Sequence, residues 1–251
     1  MSSDIWTRCA GSSEIRSLAA DPRRIVEAQH QISTRKLVDS DAQHEVLEDV
    51  LERHKPAYDR PSLLHYLLFT PFRYPPLPHG SRFGTRREPG IWYGAEGLAT
   101  AFAEVAYYRL LFLEGTDAEL APLTAELTAY HVPLRTLRAI DLTAAPFARY
   151  RSTLASKTSY AATQPLGAAM REAGVEVFRY DSARDPAGGV NVGVFGPAAF
   201  AARQPRGLET WRSIATRDYV EFSRRDYLRR GAFRYGRSQF LVGGALPHPA
   251  V

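Results

Sequence analysis

The chain has 251 residues, 45% hydrophobic and 24% charged, with 32 basic and 27 acidic side chains and a formal charge of +5. Those proportions allow one large domain with additions and exclude a disordered, collagen-like or disulfide-built chain. Cys9 is the only cysteine and cannot form an internal disulfide, and the small basic excess favours anionic ligands or acidic proteins without pointing to DNA.

No apolar run reaches the roughly 18 residues needed to cross a bilayer. Asp4, Arg8 and Glu14 break up the apolar centre that a secretory signal requires, so the expectation is a soluble, cytoplasmic protein. Residues 1–61 read as a polar, helical N-terminal extension, and 62–251 as the main domain with a C-terminal extension. Asp21-Pro22 has the form of a helix start, with Asp as cap and Pro at the first helical position, followed by sparse apolar residues at Ile25, Val26 and Ile32. A second helix starts near Asp41, carries Val46, Leu47, Val50 and Leu51 at helical spacing, and ends at Lys55-Pro56. Leu63, Leu64, Leu67 and Leu68 form another apolar stripe. The prolines of Thr70 to Gly80 predict extended or turning backbone, and Ile91-Trp92-Tyr93 a short strand.

An alanine-rich helix is predicted from Leu98 to Leu113, then strands at Thr124 to Val132 and Leu137 to Leu142. A helix from Gln164-Pro165 ends at Gly174. Strands follow at Val175 to Tyr180 and Val190 to Phe195, the second of them central, joined by a turn at Ser182 to Gly189. Thr210 to Ile214 and Asp218 to Phe222 read as a hairpin. The basic stretch Arg224 to Arg237, in which arginines alternate with Tyr227, Phe233 and Tyr235, reads as a solvated strand or helix face. Helices and strands mix without strict βαβ order, which predicts an α+β fold with a twisted, mixed sheet and flanking helices.

The sequence has no P-loop, no GxGxxG after a strand and no zinc-type cluster. Gly80-Ser81-Arg82-Phe83-Gly84 lacks the GxSxG pattern of a nucleophilic serine. The informative stretches are Arg73-Tyr74, the 80–84 loop, Ile91-Trp92-Tyr93, Ala103-Glu104-Val105, and Tyr180-Asp181-Ser182-Ala183-Arg184 leading to Gly188-Gly189-Val190-Asn191. Taken in order, they resemble the RES-domain family, mostly toxins of bacterial toxin–antitoxin pairs. The resemblance implies a fold like that of ADP-ribosyltransferase toxins and an enzyme that consumes NAD+ by hydrolysis or phosphorolysis, or transfers ADP-ribose to a protein. It implies an Xre-type helix-turn-helix antitoxin as partner, NAD+ as substrate with no further cofactor, and no metal, membrane or direct nucleic acid.

By the same resemblance Glu104, Arg73 and Ser182 are the catalytic candidates, and Arg73, Tyr74, Arg82, Tyr93, Ser182 and Asn191 the NAD+-binding ones. The residue types suit the chemistry. A guanidinium binds pyrophosphate bidentately, and a tyrosine face favours the cationic nicotinamide ring. A carboxylate stabilises the oxocarbenium-like charge that builds as the glycosidic bond breaks. Other readings stand beside these: Tyr93 as core, Ser182 as a turn cap, Arg184 paired with Asp181 or Asp185, and the whole chain as an inactive binding module.

Overall fold

Helices and strands follow one another irregularly along the computed structural model, which describes residues 3–28, 38–54, 63–74 and 76–248. In chain order the elements are α1 (Ser3–Arg8), β1 (Arg16–Ala20), β2 (Arg23–Glu27), α2 (Asp41–His54), α3 (Tyr66–Arg73), β3 (Trp92–Ala95), α4 (Leu98–Glu114), β4 (Leu123–His131), β5 (Leu134–Asp141), the single turn α5 (Arg151–Leu154), α6 (Thr163–Glu172), β6 (Val177–Asp181), β7 (Val190–Val194), β8 (Arg206–Ala215), β9 (Tyr219–Arg224) and β10 (Ala232–Gly236). Among the described residues ten strands make one sheet in the order β1-β5-β6-β7-β3-β2-β4-β8-β9-β10. Only β5 and β6 run parallel; the other pairs are antiparallel. This is the expected α+β architecture with a mixed sheet.

The sheet has a weak seam. β2 pairs with β4 at five successive positions but with β3 at one, Arg23 opposite Ala95. Where further main-chain bonds would lie, Arg24 donates its Nη1 to the Tyr93 carbonyl at 2.9 Å. On one side of the seam α4 packs on β4, β8, β9 and β10, with Phe102 stacked among Trp211, Phe222 and Phe233. On the other side α3 covers one face through Leu68, Trp92 and Val192, and α6 covers the opposite face through Leu166, Met170 and Phe178.

Two local expectations are corrected. Asp21-Pro22 does not start a helix; it turns the chain between β1 on the sheet edge and β2 in its interior. The residues before position 61 therefore supply strands to the same sheet as well as the expected helix at Asp41. Pro71 does not exclude a helix either, because it lies inside α3. A proline there leaves the carbonyl four residues back without its helical donor, and the Tyr130 hydroxyl donates to that carbonyl, Leu67 O, at 3.0 Å. The Ile32 and Lys55-Pro56 readings lie outside the described residues. The basic stretch forms the outer side of the β9–β10 hairpin: Phe233 and Tyr235 pack inward, while Arg224, Arg225 and Arg237 meet Glu209, Glu126 and Glu114. No helix among the described residues is long and apolar enough to cross a membrane.

Candidate active site

A single register row crosses the seam. Arg23 of β2 faces Ala95 of β3, Ala95 faces Asn191 of β7, and Asn191 faces Tyr180 of β6. Residues opposite one another in antiparallel strands project to the same side. All four line a cavity of about 730 Å³, within the usual range for a small-molecule site. The facing wall is α4, where Ala101, Glu104, Val105, Tyr108, Arg109 and Phe112 line the same cavity at helical spacing.

Glu104 is held from two elements. Its Oε1 accepts from Ser182 Oγ at 2.7 Å and from Asn191 Nδ2 at 2.6 Å. Ser182 follows β6 directly, and its Oγ also accepts the backbone N–H groups of Arg184 and Asp185 at 3.1 and 3.0 Å. The turn carrying it is docked on α4 one turn before Glu104, where Thr100 Oγ1 donates to Asp185 Oδ2 at 2.7 Å. Gly189 makes that docking possible, since a Cβ there would lie 2.0 Å from Thr100 Oγ1. One carboxylate oxygen is thus committed to two donors, which fixes the orientation of the other.

Arg82 is anchored by its Nη1, which donates to the carbonyls of Leu154 and Ser156 at 3.1 and 2.8 Å, and it lies 4.9 Å from the Tyr160 ring centroid. Its loop is closed by backbone bonds between Ser81 and Gly84 and tied to β3 through Tyr93, whose hydroxyl lies 2.9 Å from Ser81 Oγ and accepts from Phe83 N at 3.3 Å. Burial pushes the Tyr93 hydroxyl up to about 12, against the opposing pull of the Ser81 and Phe83 bonds. Burial likewise raises Tyr180 well above its ordinary value and lowers Arg24.

The cavity wall is strongly cationic. Five arginines, Arg23, Arg24, Arg82, Arg109 and Arg184, line it against two glutamates, Glu27 and Glu104, and Glu27 is bound to Arg109 at 2.8 Å. Such a lining suits a ligand with more than one negative charge.

The structure therefore brings together Arg82, Tyr93, Glu104, Ser182 and Asn191. It does not bring in Arg73 or Tyr74. Arg73 ends α3 with its guanidinium 6.0 Å from the Tyr74 ring centroid, and neither residue lines the cavity. Arg184 pairs with neither acidic neighbour, since Asp181 takes Arg151 and Asp185 takes Thr100. Sequence reasoning misses Arg23 and Arg24, because Asp21-Pro22 reads as a helix start ahead of what is strand β2. It also misses Tyr108 and Arg109, four and five residues after Glu104 and legible from helical period alone. Tyr160 comes from a loop that carried no signal. Among the described residues no three potential metal ligands gather.

A family model described as RES domain matches residues 57–219, close to two thirds of the chain. The match includes Arg82, Tyr93, Glu104, Ser182 and Asn191 and begins after Arg23 and Arg24. No curated protein matches the chain at a significant level.

Proposed function

The chain belongs to the RES-domain family, a family of toxin-type enzymes associated with NAD+ and typically paired with an antitoxin, and from that premise we propose that it consumes NAD+ by cleaving the nicotinamide–ribose bond. One observation carries the reading: Glu104, with one oxygen committed to Ser182 and Asn191, faces a cavity lined by five arginines.

In this reaction the glycosidic electron pair leaves with nicotinamide and cancels the positive charge of its ring. Positive charge builds on the ribose, and the uncommitted oxygen of Glu104 stabilises it. Water or phosphate then attacks the ribosyl carbon, and in hydrolysis Glu104 orients the water and takes its proton. Arg82, with Arg23 across the seam, holds the pyrophosphate, while Arg24, on the opposite face of β2 against Trp92 and bonded to Tyr93 O, braces the seam. The rings of Tyr93 and Tyr180 wall the nicotinamide end, and Ser182 acts through Glu104 as a positioning residue. Arg73 and Tyr74 have no part in this reading.

The test is NAD+ loss and nicotinamide release by purified wild type and Glu104→Gln. The variant keeps the shape and the two donors' partner atom but loses the charge. Expected is a folded protein slower by about 100-fold or more, the usual scale for removing one electrostatic stabiliser; full activity in Glu104→Gln would remove the assignment.

A second reading, transfer of ADP-ribose to a protein, is favoured by the β9–β10 hairpin tip. There Tyr227 and Leu228 are almost wholly exposed beside Arg229 and Arg230, a surface suited to a protein acceptor. A mass gain of one ADP-ribose on a cellular protein separates it from simple NAD+ loss. The proposed partner is an Xre-type helix-turn-helix antitoxin, and the proposed compartment is the cytoplasm.

A further inference from the structure

Four residues of the cavity wall carry a buried side-chain atom with no hydrogen-bond partner among the described residues, Nε of Arg24 and of Arg109, Nη1 of Arg184 and Oδ1 of Asn191, and the last two belong to residues bonded to Ser182 and to Glu104. Arg184 and Asn191 are 3% and 2% exposed, and a buried polar group left unpaired is destabilising. Neither atom is placed by chance. Asn191 must present Nδ2 to Glu104 Oε1, 2.6 Å away, because a carboxylate oxygen accepts and cannot pair with a second acceptor. That directs Oδ1 elsewhere as an acceptor.

Arg184 is clamped as well. Its Nη2 donates to Lys157 O at 3.3 Å, its guanidinium lies 3.6 Å from the Tyr107 ring centroid, and its backbone N–H is bound by Ser182 Oγ. Nη1 is left as a fixed donor. Asn191 bonds Glu104 through its side chain and Arg184 bonds Ser182 through its backbone N–H, and both residues line the cavity that Glu104 faces.

A primary carboxamide answers both, because its C=O accepts and its NH2 donates. A carboxylate answers only one: its oxygens pair with Arg184 but confront Asn191 Oδ1 and Glu104 without a proton to share. Resting on the NAD+ reading above, we infer that Asn191 and Arg184 form a carboxamide subsite that makes the chain select amide-bearing nicotinamide dinucleotide over its acid-bearing counterpart. Asn191 then serves two neighbours at once, Glu104 with its nitrogen and the substrate amide with its oxygen.

The test compares kcat/KM for NAD+ and nicotinic acid adenine dinucleotide, together with calorimetric binding of nicotinamide and nicotinate. Wild type is expected to favour the amide by about 100-fold or more, since a site built to bond a donor rejects an analogue lacking it. Asn191→Ala and Arg184→Gln are each expected to cut that ratio at least about tenfold, whatever they do to the absolute rate. Equal use of both dinucleotides by wild type, or an undiminished ratio in both variants, overturns the subsite. NAD+ consumption without amide preference leaves the NAD+ reading standing and removes the subsite. Preferred binding of nicotinamide over nicotinate without NAD+ consumption supports the subsite and removes the NAD+ reading.

Discussion

Tyr93 shows how one side chain joins site and stability. Its hydroxyl ties the 81–84 loop to β3, and its burial raises its proton affinity to about 12 from an ordinary value of 10.0. The folded chain therefore keeps, between those values, a proton that the unfolded chain has given up. Stability from this group is present in full below about pH 10 and is lost as the pH rises toward 12. Tyr180, pushed in the same direction, adds to the loss. Urea unfolding between about pH 9 and 11.5 is expected to show a falling midpoint, with a shallower fall in Tyr93→Phe; an identical slope in the variant would assign the titration elsewhere. A tyrosine hydroxyl is protonated at neutral pH even at its ordinary value, and burial holds the Tyr93 proton more tightly still, so the hydroxyl works by holding Ser81 and Phe83.

At the scale of elements, the site depends on close approach. Gly167 of α6 sits against the loop bearing Arg82, and a Cβ there would lie 1.9 Å from Phe83 O. Alanine is worth up to about 1 kcal/mol over glycine in a free helix, but here backbone meets backbone and α6 must move. Gly167→Ala is expected to lose about 2 kcal/mol or more in urea unfolding and to weaken the proposed NAD+ turnover; a neutral or stabilising result would show that α6 can retreat without disturbing Arg82. The elements that were legible have a strong period, such as α4 with its alanine and aromatic face or β6 and β7 around their glycine turn. β2 was not legible for a physical reason. Ile25 packs toward the α4 core and its neighbour Val26 toward the α3 core, so a strand covered on both faces shows no alternation. Asp21-Pro22 supplied a local helix signal that pairing with β4 overrode. Tyr93, Glu104, Ser182 and Asn191 were found through motif order, whereas Arg23 and Arg24 depend on a strand pairing that no local pattern reveals.

At the scale of the whole molecule, the family match and the folding unit do not coincide. The matched residues 57–219 omit β2, an interior strand, and nearly all of β9 and β10, whose Val220, Phe222 and Tyr235 belong to the α4 core. A chain limited to 57–219 is expected to lack cooperative thermal unfolding, while the full chain melts in one transition. A cooperative melt of the shorter chain would show that β3 and β4 hold their places without β2. The seam has a consequence in time as well. The cavity takes its lining from Arg23 near the beginning of the chain and Ala215 near its end. Synthesis proceeds from the N-terminus, and contacts between distant residues wait for the later partner. β2 emerges early and must wait for β4 to give it a place, and β8 later still completes the wall. A ribosome that has made β2 but not yet β8 therefore carries a chain with Arg23 in place and no pocket, and the site is assembled only once β8 has emerged.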